Sequence, residues 1–129
     1  MSTFVLVPGA WMGAWVWKPV TQRLRAFGHE VYPLSLTGMG ERVHLAQPST
    51  NLETHITDVV NLIEYEDLKE VVLVGHSYAG AVVTGVANRA PASLAAVVYC
   101  DTLPFPDSMR LLDMNSPEGQ ETLRRTVDT

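Results

Sequence analysis

The 129-residue chain is 47% hydrophobic and 18% charged, with 9 Gly and 8 Pro, a balance that supports a buried core and excludes a disordered, collagen-like or low-complexity polymer. Nine Lys and Arg against fourteen Asp and Glu give a net charge of −5, and the basic residues are scattered, so no nucleic-acid partner is expected. The single cysteine, Cys100, excludes an internal disulfide framework and a Cys-based zinc site.

Residues 3–7 are a short β-branched and aromatic run that ends at Pro8 and Gly9, the pattern of a buried strand. The run is too short for the apolar core of a signal peptide. No stretch reaches the roughly 18 apolar residues that span a bilayer. A cytoplasmic protein with no membrane partner is therefore expected. Pro19 suits a first helical turn. Val20, Leu24 and Phe27 then form an apolar stripe, and Gly28 stops the helix.

Residues 30–36 read as a second strand, and residues 37–47, with Gly38 and Gly40, as a loop. Thr50 and Glu53 fit a capping box. They open a helix whose stripe is Leu52, Ile56, Val59, Val60 and Ile63 and which ends near Glu66 and Asp67. Residues 71–74 are a continuous apolar run, as in a strand buried on both faces. Residues 77–90 are apolar nearly all round, predicting a central helix that Pro91 ends. Residues 94–99 read as a fourth strand. Pro104, Pro106 and Pro117 break up the remainder.

This alternation predicts an α/β fold: a parallel sheet of about four strands with helices on both faces. Residues 1–106 form the core and residues 107–129 the start of a lid or helical tail, with Met109, Leu111, Leu112 and Met114 as an apolar wall. In such sheets chemistry gathers at the carboxyl ends of the strands, and two Gly-rich turns fall there.

The first in importance is Gly75-His76-Ser77-Tyr78-Ala79. A strand that turns directly into a helix strains its middle residue and holds that side chain out over the sheet edge. Small residues two before and two after let strand and helix pass closely, and Gly75 and Ala79 are both small. The helix N-terminus adds N–H groups and a positive dipole end, suited to a developing oxyanion. Ser77 is thus the candidate nucleophile. The second turn, Pro8-Gly9-Ala10-Trp11, can aim the Ala10 N–H toward Ser77, so that Ala10 and Tyr78 form a two-donor oxyanion hole. Trp11 and His76 are candidate substrate-binding residues. Trp11, Trp15 and Trp17 as a cluster are expected chiefly in core and helix packing.

These motifs resemble the α/β-hydrolase superfamily, most closely the branch of small bacterial esterases, plant methyl-ester esterases and hydroxynitrile lyases. The matching stretches are residues 5–11 with Trp15, residues 36–42 and residues 71–80; the likeness covers roughly residues 3–106. It implies a serine nucleophile at Ser77 with oxyanion donors at Ala10 and Tyr78, and small carboxylic esters as substrates, without metal or cofactor. The chain has Pro8 where the family usually has a His before Gly9. Gly9 stands where the lyases carry Thr, which counts against cyanohydrin cleavage. Ser77 stands where dehalogenases carry Asp.

The four histidines, His29, His44, His55 and His76, all precede Ser77, whereas the superfamily order is Ser, acid, His. The chain is therefore expected to be the N-terminal half of a hydrolase, with its general base supplied from elsewhere. His55, between stripe residues, is expected on a solvated helix face, His29 at the surface, and His44 in the loop. Asp101 is a candidate acid or a strand-end residue, and Cys100 a small buried apolar one. The alternative is a non-catalytic binding or interaction protein that keeps the fold. The fourth strand as a bare apolar edge predicts a homo-oligomer.

Overall fold

The structure, a computed structural model, describes residues 1–102; the lid or tail expected over 107–129 lies outside them. Four strands, β1 (Thr3–Val7), β2 (Glu30–Pro33), β3 (Val71–His76) and β4 (Leu94–Cys100), form one sheet in the order β2-β1-β3-β4. Every neighbouring pair is parallel. Three helices, α1 (Lys18–Ala26), α2 (Leu52–Tyr65) and α3 (Ala79–Arg89), connect them, with short 3-10 turns before α1, after β2 and before β4.

Side chains alternate across each strand, so one run feeds two cores. Val5, Val7, Val71 and Leu73 face α2 and α3, meeting Ile56, Val59, Ile63, Val82, Val83 and Val86. Leu6, Val31 and Val74 face the other way, onto Trp17. This two-sided burial is why β1 and β3 read as continuous apolar runs rather than alternating ones.

Three local expectations change. The stripe of α1 is not Val20, Leu24 and Phe27: Phe27 is 78% exposed and Val20 41%. Trp17, Thr21 and Leu24, spaced +4 and +3, turn inward instead, because the large indole at the helix entry fixes which face is buried. The cap of α2 is Asn51, not Thr50: the Asn51 side chain accepts from the Thr54 N–H and the Thr54 hydroxyl accepts from the Asn51 N–H. Thr50 accepts from the Gln47 N–H in the preceding turn. β2 stops at Pro33, since proline cannot donate to a ladder and is tolerated at a sheet edge. Leu34 adds one further bond to Leu6, and Ser35 and Leu36 then turn inward.

Among the described residues no helix is long and apolar enough to cross a membrane.

Candidate active site

Ser77 sits between β3 and α3 at φ +55°, in the left-handed region that side chains other than glycine rarely adopt. Its backbone is held on both sides: the Ser77 N–H donates to the Cys100 carbonyl at 3.2 Å, and the Ser77 carbonyl accepts from the Gly80 N–H at 2.9 Å. The residue is exposed, at the carboxyl end of β3 and immediately before α3. The crossing is tight. A Cβ on Gly75 would stand 2.8 Å from the Ala79 carbonyl oxygen and 2.9 Å from Val83 Cγ1. Strand and helix therefore approach more closely than a larger residue allows.

The turn after β1 lies alongside. The Met12 N–H closes it onto the Gly9 carbonyl at 3.2 Å, and Trp11 takes φ +64°. A Cβ on Gly9 would meet the His76 carbonyl oxygen and His76 Nδ1, each at 3.3 Å, so the turn passes directly over the residue before Ser77. Within the described residues no backbone hydrogen bond uses the Ala10 or Tyr78 N–H. Both donors therefore keep capacity for a ligand.

The loop after β2 braces this corner through two sets of bonds. The buried Ser35 hydroxyl accepts from the Ala14 N–H at 2.8 Å and donates to the Glu41 carboxylate, whose oxygens stand 2.6 and 2.8 Å away. That bond holds the Glu41 carboxyl below the ordinary glutamate range. Farther along, Asp58 on α2 accepts from both the N–H and the hydroxyl of Thr37 at 2.7 Å. His55, one turn before Asp58, lies with Nδ1 2.9 Å from the Tyr78 hydroxyl oxygen and Nε2 2.9 Å from the Thr37 carbonyl.

His55 is therefore not on a solvated face; it is 4% exposed. The spacing carried the signal: 55 is three past Leu52 and four before Val59, squarely on the apolar stripe. Burial pushes the Tyr78 hydroxyl up to about 12.

Each remaining sequence candidate has a definite place. His76 lies edge-on to Trp17, ring centroids 6.5 Å apart. With Met12, Val16, Trp17, Val20 and Cys100 it lines a hollow of about 240 Å³ that does not include Ser77. His29 accepts from the Ser2 N–H at 3.0 Å, beside the start of β1. His44 is exposed on the loop after β2. Among the described residues no histidine is hydrogen-bonded to Ser77. Asp101 is exposed just past β4. Of the three tryptophans only Trp17 joins the core; Trp11 and Trp15 are 62% and 59% exposed, so packing does not account for them. Among the described residues no cluster of His, Cys, Asp and Glu could hold a metal ion.

The pattern of the Alpha/beta hydrolase family matches residues 4–128, and the chain belongs to that family. It is 48% identical over 101 residues to a carbendazim hydrolyzing esterase of Nocardioides sp., covering 78% of this chain and 42% of that protein. It is 36% identical over 109 residues to methyl jasmonate esterase 1 of Vitis vinifera, covering 81% of this chain and 41% of that one. Among solved structures, an extracellular alpha/beta-hydrolase from a Paenibacillus species, described as sharing structural and functional homology with tobacco salicylic acid binding protein 2, superposes with a TM-score of 0.90 at 29% identity. That match covers 99% of this chain and 52% of that one. The chain thus spans less than half the length of the two esterases.

Proposed function

We propose, from this membership and from the corner built around Ser77, that the chain carries the nucleophile and oxyanion hole of a serine esterase acting on small carboxylic esters. The observation that carries the reading is the φ of +55° at Ser77: strain of this kind persists where the surrounding structure fixes it, and it gathers at functional positions. The esterase names of the relatives support the ester as substrate class.

In this reading Ser77 Oγ attacks the acyl carbon while a general base takes its proton. The negative charge that forms on the carbonyl oxygen is met by the Ala10 and Tyr78 N–H groups, with the N-terminus of α3 behind them. The alcohol leaves with the proton returned by the base. Water then repeats the sequence on the acyl-serine ester, releasing the acid and restoring Ser77. Trp11, exposed beside the turn, walls the acyl side. In this reading the base is none of the four histidines; the engagement of both ring nitrogens of His55 and the place of His76 on a hollow that does not include Ser77 support this. The reading therefore takes the base as supplied from elsewhere. The exposed outer edge of β4, with Ala95, Ala96 and Val98, supports pairing with a second copy.

A fluorophosphonate probe tests the reading, with imidazole added in solution to stand in for the base that this chain does not supply. Labelling of the wild type and none of Ser77→Ala is the expected result. Labelling that ignores Ser77→Ala, or none at all, favours a binding protein that keeps only the fold.

A further inference from the structure

The strongest arrangement that the esterase reading leaves unused is the chain Tyr78–His55–Thr37–Asp58, with His55 buried and the other three half-buried. It begins at the residue whose N–H is assigned to the oxyanion hole. It crosses to α2 and ends on the loop after β2. Its chemistry is determined by elimination. A carbonyl oxygen only accepts, so His55 Nε2 carries a proton and donates it to Thr37. In the neutral ring Nδ1 is then an acceptor, and the Tyr78 hydroxyl donates to it. Thr37 cannot move away, because its N–H and hydroxyl are both donated to Asp58. The two rings also meet edge to face, centroids 5.7 Å apart. Every link lies between 2.7 and 2.9 Å. A buried polar side chain satisfied at both ends in this way has one low-energy position, since losing either partner strands a group away from water.

Tyr78 stands at the start of α3 with φ −49° and ψ −34°, directly after the strained Ser77. Nothing within the helix caps that end through a side chain. The tether at the Tyr78 hydroxyl holds this point from α2, beside the bond that the Ser77 N–H makes to Cys100 of β4. We propose that His55 is a positioning residue for the oxyanion hole: by holding the Tyr78 side chain against Thr37 it fixes the direction of the Tyr78 N–H relative to Ser77. This inference rests on the esterase reading, in that it assigns His55 a role in the same site. His55 does not touch substrate and exchanges no proton with it.

The test uses the 129-residue chain. Two-dimensional 1H–15N spectra of the imidazole are expected to show His55 as the Nε2–H tautomer, with the Nδ1 resonance moving in Tyr78→Phe; an Nδ1–H tautomer overturns the proposal. Saturable labelling by the fluorophosphonate, with imidazole supplied in solution as the base, separates positioning from general weakening. His55→Phe and Tyr78→Phe should each lower the maximal labelling rate about tenfold and leave the probe's half-saturation concentration unchanged. The double variant should fall no further, and His55→Gln, which can still accept and donate, should recover part of the rate. Wild-type labelling at the same maximal rate as His55→Phe sinks this inference alone. Wild type that labels no faster than Ser77→Ala sinks the esterase reading and this inference with it.

Discussion

Gly75 and Val83 meet where β3 turns into α3: a Cβ on Gly75 would lie 2.9 and 3.0 Å from the two methyl carbons of Val83, and 2.8 Å from the Ala79 carbonyl oxygen. The backbone oxygen cannot yield without moving α3, and Val83 is fully buried. Gly75→Ala is therefore expected to destabilise the fold by about 1–3 kcal/mol, the range of overpacking in a dense core. Chemical denaturation measures the loss. Adding Val83→Ala should make the pair less damaging than the sum of the single changes, because one of the two obstructions is gone. Additive losses would show that the crossing is looser than these distances imply.

Ser77 bears a second cost of the same junction. A left-handed φ at a residue with a Cβ costs roughly 1–2 kcal/mol, while glycine gives back up to about 1 kcal/mol through the entropy of the unfolded chain. Strain outweighs entropy, so Ser77→Gly should raise stability by about 0.5–1 kcal/mol while abolishing Ser77-dependent labelling. Ser77→Ala keeps its Cβ and should abolish labelling with little gain. Equal stabilities for the Gly and Ala variants would contradict the strain.

What could be read in the chain, and what could not, divides along a physical line. Strands β1 and β3 announce themselves because both their faces are buried, and the elbow because Gly75, Ser77 and Ala79 are needed together to make one sharp crossing. Those are local constraints, visible in a few consecutive residues. His55, Thr37 and Asp58 are separated by up to 21 positions and become partners only when α2 packs beside the loop after β2. Spacing puts His55 on the apolar stripe and so signals its burial, but nothing local names the Tyr78 and Thr37 partners that satisfy it there. The inward face of α1 is illegible for a similar reason: Trp17 precedes the helix proper, so periodicity counted from Val20 starts one residue out of phase with the indole that decides the packing.

Glu41 gives the fold a dependence on acid. Its carboxylate accepts from Ser35, which lowers its pKa in the folded state below the ordinary glutamate value of 4.5. A depressed folded pKa means that the unfolded chain binds the proton more readily. The stabilisation is fully present above 4.5 and fades as pH falls through the lowered value. Melting temperatures of wild type and Glu41→Gln, followed from about pH 7 to about pH 3, should differ at neutral pH and converge in acid. A constant gap across that span would assign the effect to packing rather than to charge.

Tyr78 provides the alkaline counterpart. Burial raises its hydroxyl from 10.0 to about 12. The unfolded chain therefore loses this proton first, so the stability that the neutral phenol contributes is intact below pH 10.0 and is lost as pH rises toward about 12. In an absorbance titration, one of the four tyrosines should ionise about two units after an ordinary phenol, and that late step should be missing in Tyr78→Phe. A step that persists in the variant belongs to another tyrosine.

The outer edge of β4 is where pairing with a second copy is expected. Among the described residues β4 pairs only with β3, and Ala95, Ala96 and Val98 along it are exposed. A register shift between Val71 and Val72 leaves Ala95 as the unpaired residue of the ladder. The irregularity falls in the first part of the strand, and from Ala96 to Cys100 the ladder is regular. Backbone donors and acceptors facing outward beside small apolar side chains form a template for another strand. Light scattering should therefore show a species of at least twice the chain mass. Val98→Lys, which puts a charge on that stretch, should shift the population toward the monomer without lowering the melting temperature of the fold. A monomer at all concentrations, or an assembly indifferent to Val98→Lys, would remove β4 from the interface.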